Sequence, residues 1–342
     1  MAHARYVAKN VWMANDLRRM LARWSAAITA RRGTASPASL AAHVPPGWRR
    51  PRPRRLMMLA GALVLAAIGL IIATRPTRSM LPTHPAPGTT VFPLASNQVA
   101  LRFIHSTGSV NIIPGKGGQV TITENRNGIT SAIQTKYHEN GGVITVTVSV
   151  QNGLYDPTWV DFNVAVPQDM SANVAVAAGT LRASGLAGNL VLRDTNGSIW
   201  ATNDSGALGL ETESGSVNTS RVSGQVTAST DNGTITTVAT HLRGATLMQA
   251  QNGTINFHGS LDPGCHAVFR NTNGATGVTL SSGSSVLVDA RAHSGSINSE
   301  FSSVRVATDS GGRVANGWVG RDGSARLSIQ TMSGSIDLNR GG

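Results

Sequence analysis

The sequence predicts an all-β fold, a parallel β-solenoid entered through an N-terminal β cap, and three observations lead there. Of 342 residues, 40% are hydrophobic, 4% aromatic and 13% charged, while glycine alone contributes 38. So few large side chains suit short strands joined by Gly, Asn and Ser turns better than a helical bundle or an α/β core. From residue 179 onward a triplet of Gly, a small residue and a β-branched residue recurs, and a second glycine falls near the middle of most units.

The strong triplets are Gly197-Ser198-Ile199, Gly215-Ser216-Val217, Gly233-Thr234-Ile235, Gly253-Thr254-Ile255, Gly295-Ser296-Ile297 and Gly334-Ser335-Ile336. Weaker ones are Gly179-Thr180-Leu181, Gly274-Ala275-Thr276 and Gly312-Arg313-Val314. Successive glycines lie 18, 18, 18, 20, 21, 21, 17 and 22 residues apart, too regular for chance and too short for propeller blades. Asn196, Ser214, Asn232, Asn252, Ser294 and Ser333 precede the strong glycines. Asn-Gly and Ser-Gly favour positive φ, which turns every unit at the same place.

The mid-unit glycines, Gly188, Gly206, Gly224, Gly244, Gly264 and Gly283, divide each unit into two short strands. The pairs Leu190/Leu192, Leu208/Leu210 and Val226/Ala228 repeat at 18 residues, and alternation along each strand points one face inward. If one unit makes one coil, Leu181, Ile199, Val217, Ile235, Ile255, Ile297, Val314 and Ile336 stack as an internal ladder. Gly197, Gly215, Gly233, Gly253, Gly295 and Gly334 then mark the repeated turn of residues 171–342. Repeated hairpins in an antiparallel β-sandwich or barrel would share this periodicity, and periodicity alone leaves both open.

Upstream, residues 94–170 carry longer runs such as Val143 to Val150 and Val160 to Val166, separated by Gly117-Gly118, Asn127-Gly128 and Gly141-Gly142. They are expected to form a hairpin cap that blunts an open sheet edge. Residues 74–93, with Pro76, Pro82, Pro85, Pro87 and Pro93, read as an extended spacer. Residues 56–73 are uncharged and would span about 27 Å as a helix, which predicts a transmembrane segment in contact with membrane lipid.

Residues 1–55 hold twelve Lys or Arg against the single acid Asp16, about +11 of the +12 net charge. Five arginines between Arg49 and Arg55 face Arg75 and Arg78 across the apolar run, so positive-inside places the N-terminus in the cytoplasm and the β domain outside a bacterial cell membrane. Val7, Val11, Ala14, Leu21, Trp24 and Ile28 recur at helical spacing over residues 5–32, a candidate amphipathic cytoplasmic helix that would lie on lipid or dock a cytoplasmic partner. Residues 56–342 are nearly neutral, which argues against nucleic acid as a partner.

The segment Val160-Asp161-Phe162-Asn163-Val164-Ala165-Val166-Pro167, followed by Asn173-Val174-Ala175-Val176 and the Gly-Ser-Ile/Val units, resembles the bacterial putative-adhesin family of β-strand-repeat proteins. The likeness covers about residues 100 to 340. It implies a solenoid-like cell-envelope domain, and its motifs speak to fold more than to activity. The chain departs from the family pattern in its irregular spacing after residue 233 and its long basic N-terminus.

No reacting constellation is evident, so no catalytic residue, cofactor or metal site is expected. Asp194, Asp204, Asp231, Asp262, Asp289, Asp309 and Asp322 mostly sit beside turn residues, which their side chains stabilise locally. The histidines lack metal-site spacing, and the lone Cys265 cannot form an intramolecular disulfide. Outward Thr227, Ser229, Thr234, Thr236, Asn256 and Ser296 form either a hydrogen-bonding surface for a cell-wall glycan or a protein ligand, or simply the solvated surface of the solenoid. The function expected is a non-catalytic, membrane-anchored adhesion or scaffold module. The alternatives are an envelope sensor coupled to residues 5–32 and a polysaccharide-active β-helix enzyme.

Overall fold

The computed structural model describes residues 83–86, 88–94, 100–140, 142–151, 158–321 and 324–341, all within one compact unit, Ala67–Gly342. Twenty-one strands join one continuous sheet. The chain enters through β1 (Thr83–Ala86) and β2 (Thr89–Pro93), then β3 (Ala100–Thr107), β4 (Val110–Pro114) and β5 (Gln119–Asn127). After the 3-10 turn Thr130–Ala132 come β6 (Ile133–Asn140), β7 (Val143–Val150) and β8 (Trp159–Val166).

The long strands β9 (Ser171–Ser184), β10 (Leu190–Thr202), β11 (Ser205–Ser220), β12 (Ser223–Leu242) and β13 (Ala245–Leu261) follow. Each pairs in parallel with the next, 18 residues out of phase from β9 to β12 and 20 from β12 to β13 up to Thr237. Then come β14 (His266–Asn273), β15 (Thr276–Leu280), β16 (Val286–Ser294), β17 (Ile297–Ser299), β18 (Val304–Asp309), β19 (Gly312–Val319), β20 (Ala325–Ser333) and β21 (Ile336–Arg340).

At both ends the stacking order departs from the chain order. The last segment, β20 and β21, lies between β14–β15 and β16–β17, in parallel with both. Likewise β3 and β4 lie between β7–β8 and β9, again in parallel. Antiparallel strands close the two ends: β6 on β7, β5 on β8 and β2 on β5 at one, β19 on β16 and β18 on β19 at the other.

The expectation of a parallel β-solenoid carrying a transmembrane and a cytoplasmic helix is therefore corrected: the sheet is mixed, and among the described residues the helical content is one 3-10 turn. No helix among them is long and apolar enough to cross a membrane, which removes the support for a single-pass, N-in placement in a bacterial membrane. The described residues form strands for a physical reason: they bury every second side chain, a period no helix shares. The segments on which those expectations rested, residues 5–32 and 56–73, lie outside the described residues. The antiparallel-sandwich alternative also fails for residues 171–261, whose strand pairings are all parallel.

The internal column that begins Phe162, Val110, Leu181 continues through Ile199, Val217, Ile235, Ile255, Thr276, Ile336 and Ile297. All ten side chains are buried. Val314 does not join it: on antiparallel β19 it pairs with Arg291 and Ala307 and is only half-buried. Thr276 stands between Ile255 and Ile336, and Ile336 precedes Ile297 because the terminal coil is inserted.

Beside this column runs one of glycines, needed for close approach more than for turning. A Cβ on Gly215 would lie 1.7 Å from the carbonyl oxygen of Gly197, and one on Gly295 1.8 Å from that of Gly334. The chain runs through these bends without leaving the ladder. Residues 89–93, expected to be spacer, join the sheet through β5, with Thr90 and Phe92 buried and Phe92 against the Tyr137 ring.

Candidate binding face

Alternation sends the residue before and the residue after each ladder position outward. The residues after it form the row Asn163, Asn111, Arg182, Trp200, Asn218, Thr236, Asn256, Gly277, Asp337 and Asn298. The residues before it form the row Thr180, Ser198, Ser216, Thr234 and Thr254. Neighbouring side chains in a parallel stack are spaced at the inter-strand distance, about 4.8 Å.

These rows bond along and across themselves. The Ser198 and Ser216 hydroxyls are 3.0 Å apart, and Asn218 Nδ2 donates to Ser216 Oγ at 2.9 Å. Asn111 Nδ2 donates to Asn163 Oδ1 at 3.1 Å, and Asn298 Nδ2 to Asp337 Oδ1 at 2.8 Å. In the midst stands Trp200, 40% exposed. The Arg182 guanidinium lies 5.5 Å from its ring centre, a cation–π contact that orders both side chains.

A second ladder lies at the bend, where Asn273 Nδ2 donates to Asn252 Oδ1 at 2.9 Å and Asn252 Nδ2 to Asn232 Oδ1 at 3.1 Å. Such amide columns satisfy polar groups that repetition brings together. The structure thus gathers Thr234, Thr236 and Asn256 on one face, and Ser296 lies on the same register beside Ser335. Thr227 and Ser229 belong to the other half of their coil, opposite Leu247 and Gln249.

Sequence reading missed Arg182 and Trp200. Their signal was available, since each follows the β-branched position of a triplet and so shares the outward register of Asn218 and Asn256.

The acidic residues separate by environment. Arg243 Nε donates to Asp262 at 2.6 Å, Arg193 Nε to Glu211 at 2.9 Å and Gln251 Nε2 to Asp231 at 2.6 Å. Asp309 accepts the Gly311 amide at 2.7 Å, while Asp322 lies outside the described residues. Asp194 and Asp204 are buried, at different corners: Asp194 stacks between Val176 and Thr212, whereas Asp204 accepts the Leu186 amide at 2.9 Å.

Burial pushes both carboxyls up to about 6, opposed at Asp194 by the Asn196 amide, which stands outside hydrogen-bonding geometry, and at Asp204 by the Leu186 and Thr202 amides. His105 is driven the other way by burial, its Nε2 2.9 Å from the Val160 carbonyl oxygen. Burial, helped by Asp262, raises the Cys265 thiol to about 11, where it is a poor nucleophile. Among the described residues no group of three or more His, Cys, Asp or Glu is placed to hold a metal ion.

No protein-family model and no curated protein matches this chain. A solved structure described as a "putative cell adhesion protein", from Clostridium sporogenes, is similar over 76% of this chain and 100% of its own, at 11% identity and a TM-score of 0.26.

Proposed function

We propose that the outward face centred on Arg182, Trp200 and Asn218 binds an extended neutral glycan chain, and that the protein is a non-catalytic adhesion or scaffold module. The observation that carries this reading is a half-exposed indole set in a row of amides and hydroxyls. An indole offers broad apolar area to the C–H face of a sugar, with little conformational entropy to lose. The flanking Asn and Ser groups offer donors and acceptors at a constant rise, matching a polymer that repeats its own hydroxyls.

Affinity concentrates on few residues, with Trp and Arg prominent among them, and here both stand at the centre of the face. The buried carboxyls Asp194 and Asp204 occupy separate corners, so they do not form the close pair that glycoside cleavage uses.

A panel of neutral oligosaccharides titrated into the full chain tests this. Binding is expected to weaken at least tenfold in Trp200→Ala, less in Asn218→Ala, and to be unchanged in Thr227→Ala on the other half of the coil. Equal binding by wild type and Trp200→Ala would overturn the reading. So would release of shortened sugars.

A further inference from the structure

A second feature arises where the inserted terminal coil ends. The loop after β15, the turn after β17, the end of β19 and the end of β21 enclose an open cleft of about 650 Å³, within the size range of small-ligand sites. Among its lining residues are Ser281, Ser282, Ser284, Phe301, Arg321 and Arg340. Two arginines thus line one concavity together with several serines, and among the described residues no acid lines it.

Neither arginine has a carboxylate partner among the described residues. Glu300, which precedes Phe301, reaches the end of β21, but its carboxylate accepts the backbone amide of Arg340 at 2.8 Å. The Arg340 guanidinium instead sits 5.4 Å from the centre of the Phe301 ring. A guanidinium held over an aromatic face is fixed in orientation while its N–H edges stay free to donate in their own plane.

Ser284 Oγ is committed to the Ser281 carbonyl oxygen at 2.7 Å and Ser303 Oγ to the Trp318 carbonyl oxygen. The hydroxyls of Ser281 and Ser282 remain for a ligand.

We propose that this cleft binds the carboxylate of an acidic sugar: Arg340 and Arg321 take the carboxylate oxygens, and Ser281 and Ser282 meet the ring hydroxyls. A planar fork facing a planar carboxylate gives paired, charge-assisted hydrogen bonds. The site exists because insertion brings Arg340 of the last coil beside Phe301 of an earlier one. The proposal extends the glycan reading to a second, acid-selective position and rests on that reading for the choice of a sugar as the carboxylate's carrier.

Isothermal titration calorimetry on the full chain, with glucuronate, glucose, sulfate and phosphate as separate probes, tests it. Glucuronate is expected to bind saturably. Its Kd is expected to rise at least tenfold in Arg340→Gln and in Arg321→Gln, to stay weak in Arg340→Lys, which lacks the fork, and to be unmoved in Trp200→Ala; both arginines are exposed, and the variants keep the wild-type Tm.

The proposal is overturned if glucuronate does not bind, if the Gln variants bind it normally, or if sulfate or phosphate competes for the same residues at equal affinity, which would make this an inorganic-anion site. Neutral glycans failing at Trp200 while glucuronate still binds here would sink the face and leave the cleft standing.

Discussion

From Ser171 to Leu261 the order of strands in the chain and in the stack is the same, whereas at each end a coil from further out in the sequence (β3–β4 or β20–β21) is tucked beneath one from further in (β7–β8 or β16–β17). The middle therefore forms from contacts about 20 residues apart, while the ends depend on longer closures: Ala100 with Ser171, and Val286 with Ala325. The contrast shows one repeat serving two purposes. In register it propagates a core; out of order it locks both terminal coils by pairing them on two sides. The antiparallel strands laid over each end keep the stack from presenting a flat parallel edge to another chain.

The largest effect that sharpens this comparison is removal of residues 324–342. β14–β15 and β16–β17 would each lose a partner, so amides of residues 266–319 are expected to lose hydrogen-exchange protection while residues 171–242 keep theirs. Uniform loss over both regions would show that the ends and the middle are one cooperative unit.

Next in size is Gly215→Ala in the middle, where the new methyl would meet the Gly197 carbonyl oxygen at 1.7 Å. A loss of about 3 kcal/mol by denaturant unfolding is expected. Gly209→Ala, with its nearest neighbour at 3.7 Å, is expected to change stability by less than about 0.5 kcal/mol.

The buried titrating groups also divide by region. Asp194 and Asp204, in the regular coils, are raised from 3.8 to about 6, so the folded chain holds protons that the unfolded chain releases. The stability those protons give is present below about pH 4 and lost as pH rises through 6. Asp194→Asn is accordingly expected to stabilise the protein at pH 7 by about 2 kcal/mol and to flatten the slope between pH 4 and 6. His105, in the N-terminal coil, behaves oppositely. Its lowered pKa favours the neutral ring, and its contribution is present above pH 6.5 and fades as pH falls. A scan of Tm against pH for Asp194→Asn and His105→Gln separates the effects.

The smallest effect is at the odd rung of the ladder. Thr276 is fully buried and its hydroxyl has no hydrogen-bond partner among the described residues, so Thr276→Val is expected to stabilise by about 1 kcal/mol, read as a rise in Tm.

Much of the middle was legible beforehand. The 18-residue phase from Gly179 to Gly233 is the strand register itself, and Leu181, Ile199, Val217, Ile235 and Ile255 follow one another in space as in sequence. The ends were not legible, for a definable reason. A triplet announces a strand that can occupy a rung and carries no information about which rung, so Ile336 could not be seen to precede Ile297.

Gly312-Arg313-Val314 matched the triplet by composition, but it lies in a hairpin strand whose partners run antiparallel. The candidate faces were partly visible. Thr236 and Asn256 were noticed as outward polar residues, while Trp200 and Arg182 needed the register to show that they share a row. The cleft was invisible, because Arg340 and Phe301 meet only through the insertion.

The inserted order itself can be tested by paired cysteines at three exposed positions, Asn273, Ser333 and Ser294, which are successive rungs in the structure. The native Cys265 is buried and stays out of the reaction. Adjacent rungs, about 4.8 Å apart, suit a disulfide, and rungs two apart, at about 10 Å, do not. The account predicts rapid bridging of Asn273→Cys with Ser333→Cys and of Ser333→Cys with Ser294→Cys, but none between Asn273→Cys and Ser294→Cys. Ready bridging of residues 273 and 294, with residue 333 left reduced, would mean that the coils stack in chain order and would contradict the insertion.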